Sequence, residues 1–163
     1  MVTIFDVANY FRWRVDYEAG DNITALKLQK LCYYAQAWHL VFTGGPLFEG
    51  DFEAWEHGPV SRALWRKYSD NRWRPIEPTD DLLAFEPTDV FDSDELHTLN
   101  EVWEAYGYYS ARYLEDLTHQ EDPWREARGD LPPDAPSSAL IPQGHMMLFY
   151  RRFTEEAYAA QAD

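Results

Sequence analysis

Ile4, Val7, Ala8, Phe11 and Val15 recur at helical spacing. They predict an amphipathic helix from Thr3 to about Glu18, with Thr3 and Asp6 spaced like a capping box and Gly20-Asp21-Asn22 as its stop. A stronger signal follows from about Thr24 to Thr43. Leu28, Leu31, Cys32, Ala35, Trp38, His39 and Phe42 form one continuous helical face. The opposite side adds Leu26, Tyr33, Tyr34, Ala37, Leu40 and Val41. A helix that is apolar almost all round belongs in the centre of a fold. Gly44-Gly45-Pro46 ends it, with glycine suited to a left-handed cap.

Beyond that stop the period changes. Leu47 to Trp55 is short, aromatic and not helix-periodic, so it reads as extended, with His57-Gly58-Pro59 as a turn. Pro59 or Val60 is expected to open a short helix through Leu64, Trp65 and Tyr68. Residues 70–92 contain Pro75, Pro78 and Pro87 and read as a loop with extended pieces. Ser93 is expected to cap a helix bearing Leu96, Leu99, Val102, Trp103 and Tyr106. After Gly107, Ser110 caps another, with Tyr113, Leu114 and Leu117 inward. Asp122-Pro123 starts a short helical turn through Ala127, and residues 129–140, with Pro132, Pro133 and Pro136, form a surface connection. Pro142 or Gln143 opens a last helix carrying Leu148, Phe149, Phe153 and Ala157. The expected fold is mainly α: a single compact helical domain over residues 1–163, with about six helices and at most a short strand or hairpin.

Composition supports such a core. A chain of 163 residues buries roughly 70% of its unfolded surface without help from a metal or disulfide. Aromatic residues make up 17%, including seven Trp and eleven Tyr, whose polar tips need partners once buried. The lone cysteine, Cys32, has no partner for an intramolecular disulfide, and its setting among Leu28, Leu31 and Ala35 reads as packing rather than nucleophilic chemistry. The first residues read as a helix start and not as a signal peptide, and no stretch approaches the ~20 apolar residues of a membrane span. The chain is therefore expected in the cytoplasm, away from membranes.

Charge changes the picture more. The net charge is −15, and residues 76–163 carry all of it. Residues 1–75 balance nine basic against nine acidic side chains, whereas 76–163 hold five against twenty. No Lys or Arg occurs between Arg74 and Arg112. Such a surface repels phosphate backbones, which argues against direct nucleic-acid binding, and attracts a basic protein partner. Asp80, Asp81, Glu86, Asp89 and Asp92 are the candidate partner surface. The bland alternative is a solvated acidic face that aids solubility.

Candidate chemistry is sparse. His39, His57, His97, His119 and His145 form no pair at metal-ligand spacing, and there is no phosphate-binding glycine loop or nucleophile elbow. No catalytic residue, cofactor or metal is expected; the enzymatic alternative is a metal-assisted hydrolase using His57, His119 and nearby acids. An acidic nucleic-acid mimic is a further alternative. Two segments look over-specified for bulk packing. One is the corner Trp55-Glu56-His57-Gly58-Pro59-Val60; the other runs from Thr118-His119 through Pro123-Trp124 to Arg128. Their polar groups either cap helix ends and bond to each other or form a recognition surface.

These segments resemble the Panacea domain, the family of SocA-like antitoxins with phage-associated relatives of the GepA type. The resemblance rests first on Leu26-Lys27-Leu28-Gln29-Lys30-Leu31-Cys32-Tyr33-Tyr34-Ala35-Gln36-Ala37-Trp38. It continues through Pro46-Leu47-Phe48 and Ala54-Trp55-Glu56-His57-Gly58-Pro59-Val60. It ends on Thr118-His119, Pro123-Trp124 and Ala127-Arg128. The resemblance implies a non-enzymatic cytoplasmic antitoxin that neutralises, by direct binding, a toxin encoded beside it. In one branch it implies an adaptor delivering the toxin to an ATP-dependent protease through its unfoldase. It also implies that the shared motifs keep the fold while variable surface, such as residues 70–95, chooses the partner. No appended helix-turn-helix segment is expected, so autoregulation through DNA is not either.

Overall fold

A computed structural model describes residues 1–162, with side chains described to residue 155. Its elements are α1 (Ile4–Arg14), α2 (Ala25–Thr43), β1 (Phe52–Trp55), β2 (Gly58–Val60), α3 (Arg62–Tyr68), α4 (Asp80–Leu83) and α5 (Pro87–Val90). They continue with α6 (Ser93–Tyr106), α7 (Ala111–His119), α8 (Asp122–Arg128), β3 (Leu140–Ile141) and α9 (Gln143–Ala162). The architecture is mainly α with a small antiparallel sheet in the order β2-β1-β3.

The central place of α2 follows from its sequence. Every residue from Leu28 to Ala37 is buried, and α1, α3, α6, α7, α9 and β2 all pack around it. Thr24 caps its start by accepting from the Lys27 N–H, and Gly44 ends it in the left-handed conformation, with φ 82°. The aromatic load concentrates here. Tyr34 stacks on Tyr106 at a centroid distance of 4.0 Å, and Tyr33, Trp38 and Tyr150 form the adjoining layer.

The helix inventory exceeds the expected six: nine are present among the described residues. The extra ones are short. Residues 70–92, expected as loop, hold α4 and α5, each a single turn. Pro87 sits in the first turn of α5, where its missing N–H costs nothing. The segment expected as a turn after Asp122 is the two-turn α8.

Boundaries also move. α1 stops at Arg14, and Tyr17–Ala19 is a separate 3-10 turn. Pro59 and Val60 belong to β2, so α3 starts later, where the Ser61 hydroxyl accepts from the Leu64 N–H. Asp92, not Ser93, caps α6, in a reciprocal capping box with Glu95. Glu121 precedes α8, placing Asp122 inside the helix. In α9 the inward residues are Met146 and Tyr150, while Leu148 is 57% exposed and Phe153 is half-exposed. Tyr113 of α7 is likewise exposed. The side chain of Ala157 lies outside the described residues.

Candidate functional site

Three buried polar side chains of α2, Gln29, Lys30 and Gln36, face the chain that follows it, and each is satisfied by backbone. The Gln29 carboxamide donates to the Ser61 carbonyl at 3.0 Å and accepts from the Ser61 N–H at 2.8 Å. Lys30, with no solvent exposure, donates from Nζ to the Pro59 carbonyl at 3.0 Å. Gln36 donates to the Phe48 carbonyl at 2.8 Å and accepts from the Leu47 N–H at 2.7 Å. Burial pushes the Lys30 ammonium down to about 7, against the opposing pull of Glu115. One helix thus holds two later loops by their main chains. A buried polar group without such a partner would cost several kcal/mol.

The second over-specified segment grips the same corner from the other side. Trp124 donates from Nε1 to the Trp55 carbonyl at 2.8 Å. Arg128 donates to the Ala54 carbonyl at 3.0 Å and, through its other arm, to the carbonyls of Pro132 at 2.8 Å and Ala135 at 2.6 Å. Its guanidinium also lies 4.7 Å from the centroid of Trp124, whose ring stacks on His119 at 4.0 Å. Pro123, Trp124 and Arg128 are all buried. Burial pushes the His119 imidazole below its ordinary range, opposed by Glu115.

Gly58 is where the two grips meet. Its φ of +102° lies in the region glycine favours. A Cβ there would stand 2.6 Å from Lys30 Cε and 2.9 Å from Thr118 Oγ1. Thr118 is itself fixed, donating from Oγ1 to the Glu115 carbonyl at 2.7 Å. Pro59 and Val60 are buried beside it. His57 differs: it is exposed and pairs its Nδ1 with Glu115 Oε1 at 2.5 Å. Trp55 is half-buried, with Trp65 at a centroid distance of 5.7 Å and the Arg62 guanidinium 5.3 Å from its ring. Trp55, His57, Gly58, Pro59 and Val60 thus belong to one hairpin, and His119, Pro123, Trp124 and Arg128 lie on the two helices, α7 and α8, packed against it. Trp124 and one arm of Arg128 donate to the hairpin backbone, whereas Trp55 Nε1 donates to Glu53 and His57 pairs with Glu115.

Sequence reasoning missed a second buried cluster. Glu121 Oε1 accepts from Tyr34 Oη at 2.7 Å and from Tyr150 Oη at 2.9 Å, and Tyr150 also reaches Tyr33 Oη at 3.1 Å. Burial raises the Glu121 carboxyl to about 7, while the two tyrosine hydrogen bonds work against that rise. The only hint in the sequence was a surplus of Tyr in an apolar helix.

The histidines do not assemble a metal centre. His57 and His119 share the rim of a shallow hollow with Glu115 and Asp116. Among the described residues, however, no three His, Cys, Asp or Glu side chains converge to hold an ion. Cys32 is buried, and burial raises its thiol far above the usual range. No helix among the described residues is long and apolar enough to cross a membrane.

The acidic candidates sit apart from the hairpin. Asp80 and Asp81 occupy the first turn of α4, Glu86 and Asp89 flank and enter α5, and Asp92 caps α6; all are exposed. Asp80, Asp81, Glu86 and Asp89 are not engaged by any side-chain hydrogen bond or ion pair among the described residues. Asp92 is partly occupied, because its carboxylate accepts from the Glu95 N–H at 2.8 Å. Other apolar groups are exposed nearby, Leu83 and Val90 among them.

The family model described as antitoxin SocA-like, Panacea domain, matches residues 28–125. Those residues run from the buried stretch of α2 to the middle of α8. The antitoxin SocA of Caulobacter vibrioides (strain NA1000 / CB15N) is 49% identical to this chain over 49 residues, covering 30% of the chain and 26% of that relative. The chain thus aligns with about a quarter of the length of that curated relative. No solved structure matches the chain.

Proposed function

This chain belongs to the family of SocA-like antitoxins with a Panacea domain, and on that premise we propose that it neutralises a cognate toxin by direct protein–protein binding. It acts as a binding module and not as an enzyme. The toxin is the product of the adjacent gene, with a basic or mixed-charge surface. The acidic face of α4, α5 and the start of α6 meets that surface.

The observation that carries this reading is a division between occupied and unoccupied polar groups. The polar groups of Gln29, Lys30, Trp124 and Arg128 are consumed in holding the backbone of residues 54–61. The carboxylates of Asp80, Asp81, Glu86 and Asp89 are left solvated and unneutralised. Complementary charge steers encounter between partners and disfavours wrong ones. A shared internal clamp beside a separate acidic surface suits a family whose partners differ.

Co-expression with the adjacent gene product tests it. The product alone is expected to arrest growth, and the pair to restore growth and co-purify as a stable complex. A harmless neighbour that does not co-purify would sink the reading.

A further inference from the structure

Trp38 lies in the second half of α2, between α6 and α9. Its Nε1 donates to Tyr106 Oη at 2.9 Å, and its ring meets Phe153 of α9 at a centroid distance of 6.5 Å. One turn later, Phe42 packs on Trp38 at 5.6 Å and keeps 40% of its surface exposed. Between these rings and Val102 and Ala105 of α6 is a cavity of about 180 Å³. An apolar cavity of roughly 150 Å³ accepts a benzene ring, so this one has room for a single aromatic or branched aliphatic side chain.

The rim has a definite charge. α6 contains four acids, Asp94, Glu95, Glu101 and Glu104, and no Lys or Arg. Glu95 is used in the capping box and Glu104 pairs with Arg14 at 3.1 Å. Glu101 lines the cavity, is exposed and has no ion-pair partner among the described residues. An apolar hole beside an unneutralised carboxylate has a simple complement. It is an apolar anchor with a Lys or Arg about one helical turn away, the arrangement of a basic amphipathic helix laid in a groove.

We propose that the groove over Trp38 and Phe42 seats such a helix of the toxin, with its apolar anchor in the cavity and its cation on Glu101. This rests on the antitoxin reading and names the contact within it. Anchors of this kind carry most of the energy of an interface, while flanking charges set orientation and rate.

The test measures binding of the purified adjacent gene product to the full chain and to two variants, Phe42→Ala and Glu101→Lys. Phe42→Ala is expected to weaken binding roughly 30-fold or more, the lower bound for a hot-spot residue. Glu101→Lys is expected to weaken it roughly tenfold, with the loss shrinking at high salt. Both variants should retain the wild-type circular dichroism spectrum. Should Phe42→Ala fail to fold, the exposed Glu101→Lys decides alone. Wild-type affinity in the folded variants overturns the groove assignment and leaves the antitoxin reading standing. A neighbour that neither binds the wild-type chain nor is neutralised by it overturns both.

Discussion

Gln29 and Ser61 lie 32 residues apart, yet the carboxamide of the first pairs with both the N–H and the C=O of the second. Replacing Gln29 by Leu keeps the apolar volume and strands two buried backbone groups. Each costs roughly 1–3 kcal/mol when left without a partner, so Gln29→Leu is expected to destabilise by about 2–4 kcal/mol. Urea unfolding measures it. Ser61 also caps α3, so the loss should appear as early hydrogen exchange in residues 61–68.

Gly58 gives a sharper backbone test. Ala at this position faces both a positive φ and two close neighbours, Lys30 and Thr118. Strain and overpacking together are expected to cost Gly58→Ala about 2–4 kcal/mol. A companion change, Gly45→Ala, has open space around its Cβ and should stay within about 0.5 kcal/mol of wild type. Equal melting temperatures for the two variants would contradict this account of the corner.

Arg128 reaches both the hairpin and the proline-rich connection, spreading its donors over carbonyls of Ala54, Pro132 and Ala135. A lysine ammonium lacks the planar fork needed to span them. Arg128→Lys is therefore expected to cost about 1–3 kcal/mol. Limited proteolysis should then cut within residues 129–138 earlier than in the wild type.

These clamps explain what was legible in the sequence and what was not. α2 was legible because its apolar period runs through nineteen residues and ends on a glycine stop. α4 and α5 were not, since a four-residue helix holds too little of a period to separate from a loop. A turn after the aromatic strand was visible, but it lies at Glu56-His57 and not at His57-Gly58-Pro59, because Gly58 and Pro59 already pair with β1 as part of β2. Pro59 was misassigned to a helix start because proline suits both a first helical turn and an edge strand, which β2 is. The motif residues were identifiable as a set, but Gln29, Lys30 and Gln36 gave no sign of which backbone they hold. Those partners are brought together only by the tertiary fold. One local clue was available: polar residues in a helix buried all round must find partners inside it.

Glu121 supplies a pH-dependent prediction. Its carboxyl is raised to about 7 from an ordinary 4.5. The native state therefore holds a proton that the unfolded chain releases between about 4.5 and 7. The stabilisation is fully present below about 4.5 and is lost as pH rises through about 7. Glu121→Gln mimics the protonated form and can still accept from Tyr34 and Tyr150. It is expected to be more stable than wild type by about 1–3 kcal/mol at pH 8, with the difference vanishing near pH 4. Denaturant midpoints at the two pH values measure this; a gap that stays constant would contradict it.

The acidic face makes a kinetic prediction that separates it from the groove. Asp80, Asp81, Glu86 and Asp89 stand in solvent without partners among the described residues, whereas Asp92 also stabilises α6 by capping it. Neutralising the first four to Asn or Gln removes long-range attraction without touching a hydrogen bond inside the fold. Charges of this kind act mainly on encounter, so association with the toxin should slow roughly tenfold or more at low salt while dissociation changes little. Raising the ionic strength should close the gap, because the Debye length falls to about 3 Å near 1 M salt. Asp92→Ala should instead lower stability, as the loss of a helix cap costs about 0.5–2 kcal/mol. Stopped-flow association rates across a salt series read the first effect, and thermal melts read the second. If the four neutral substitutions leave the association rate and its salt slope unchanged, this acidic face serves solubility alone and the toxin meets another part of the surface.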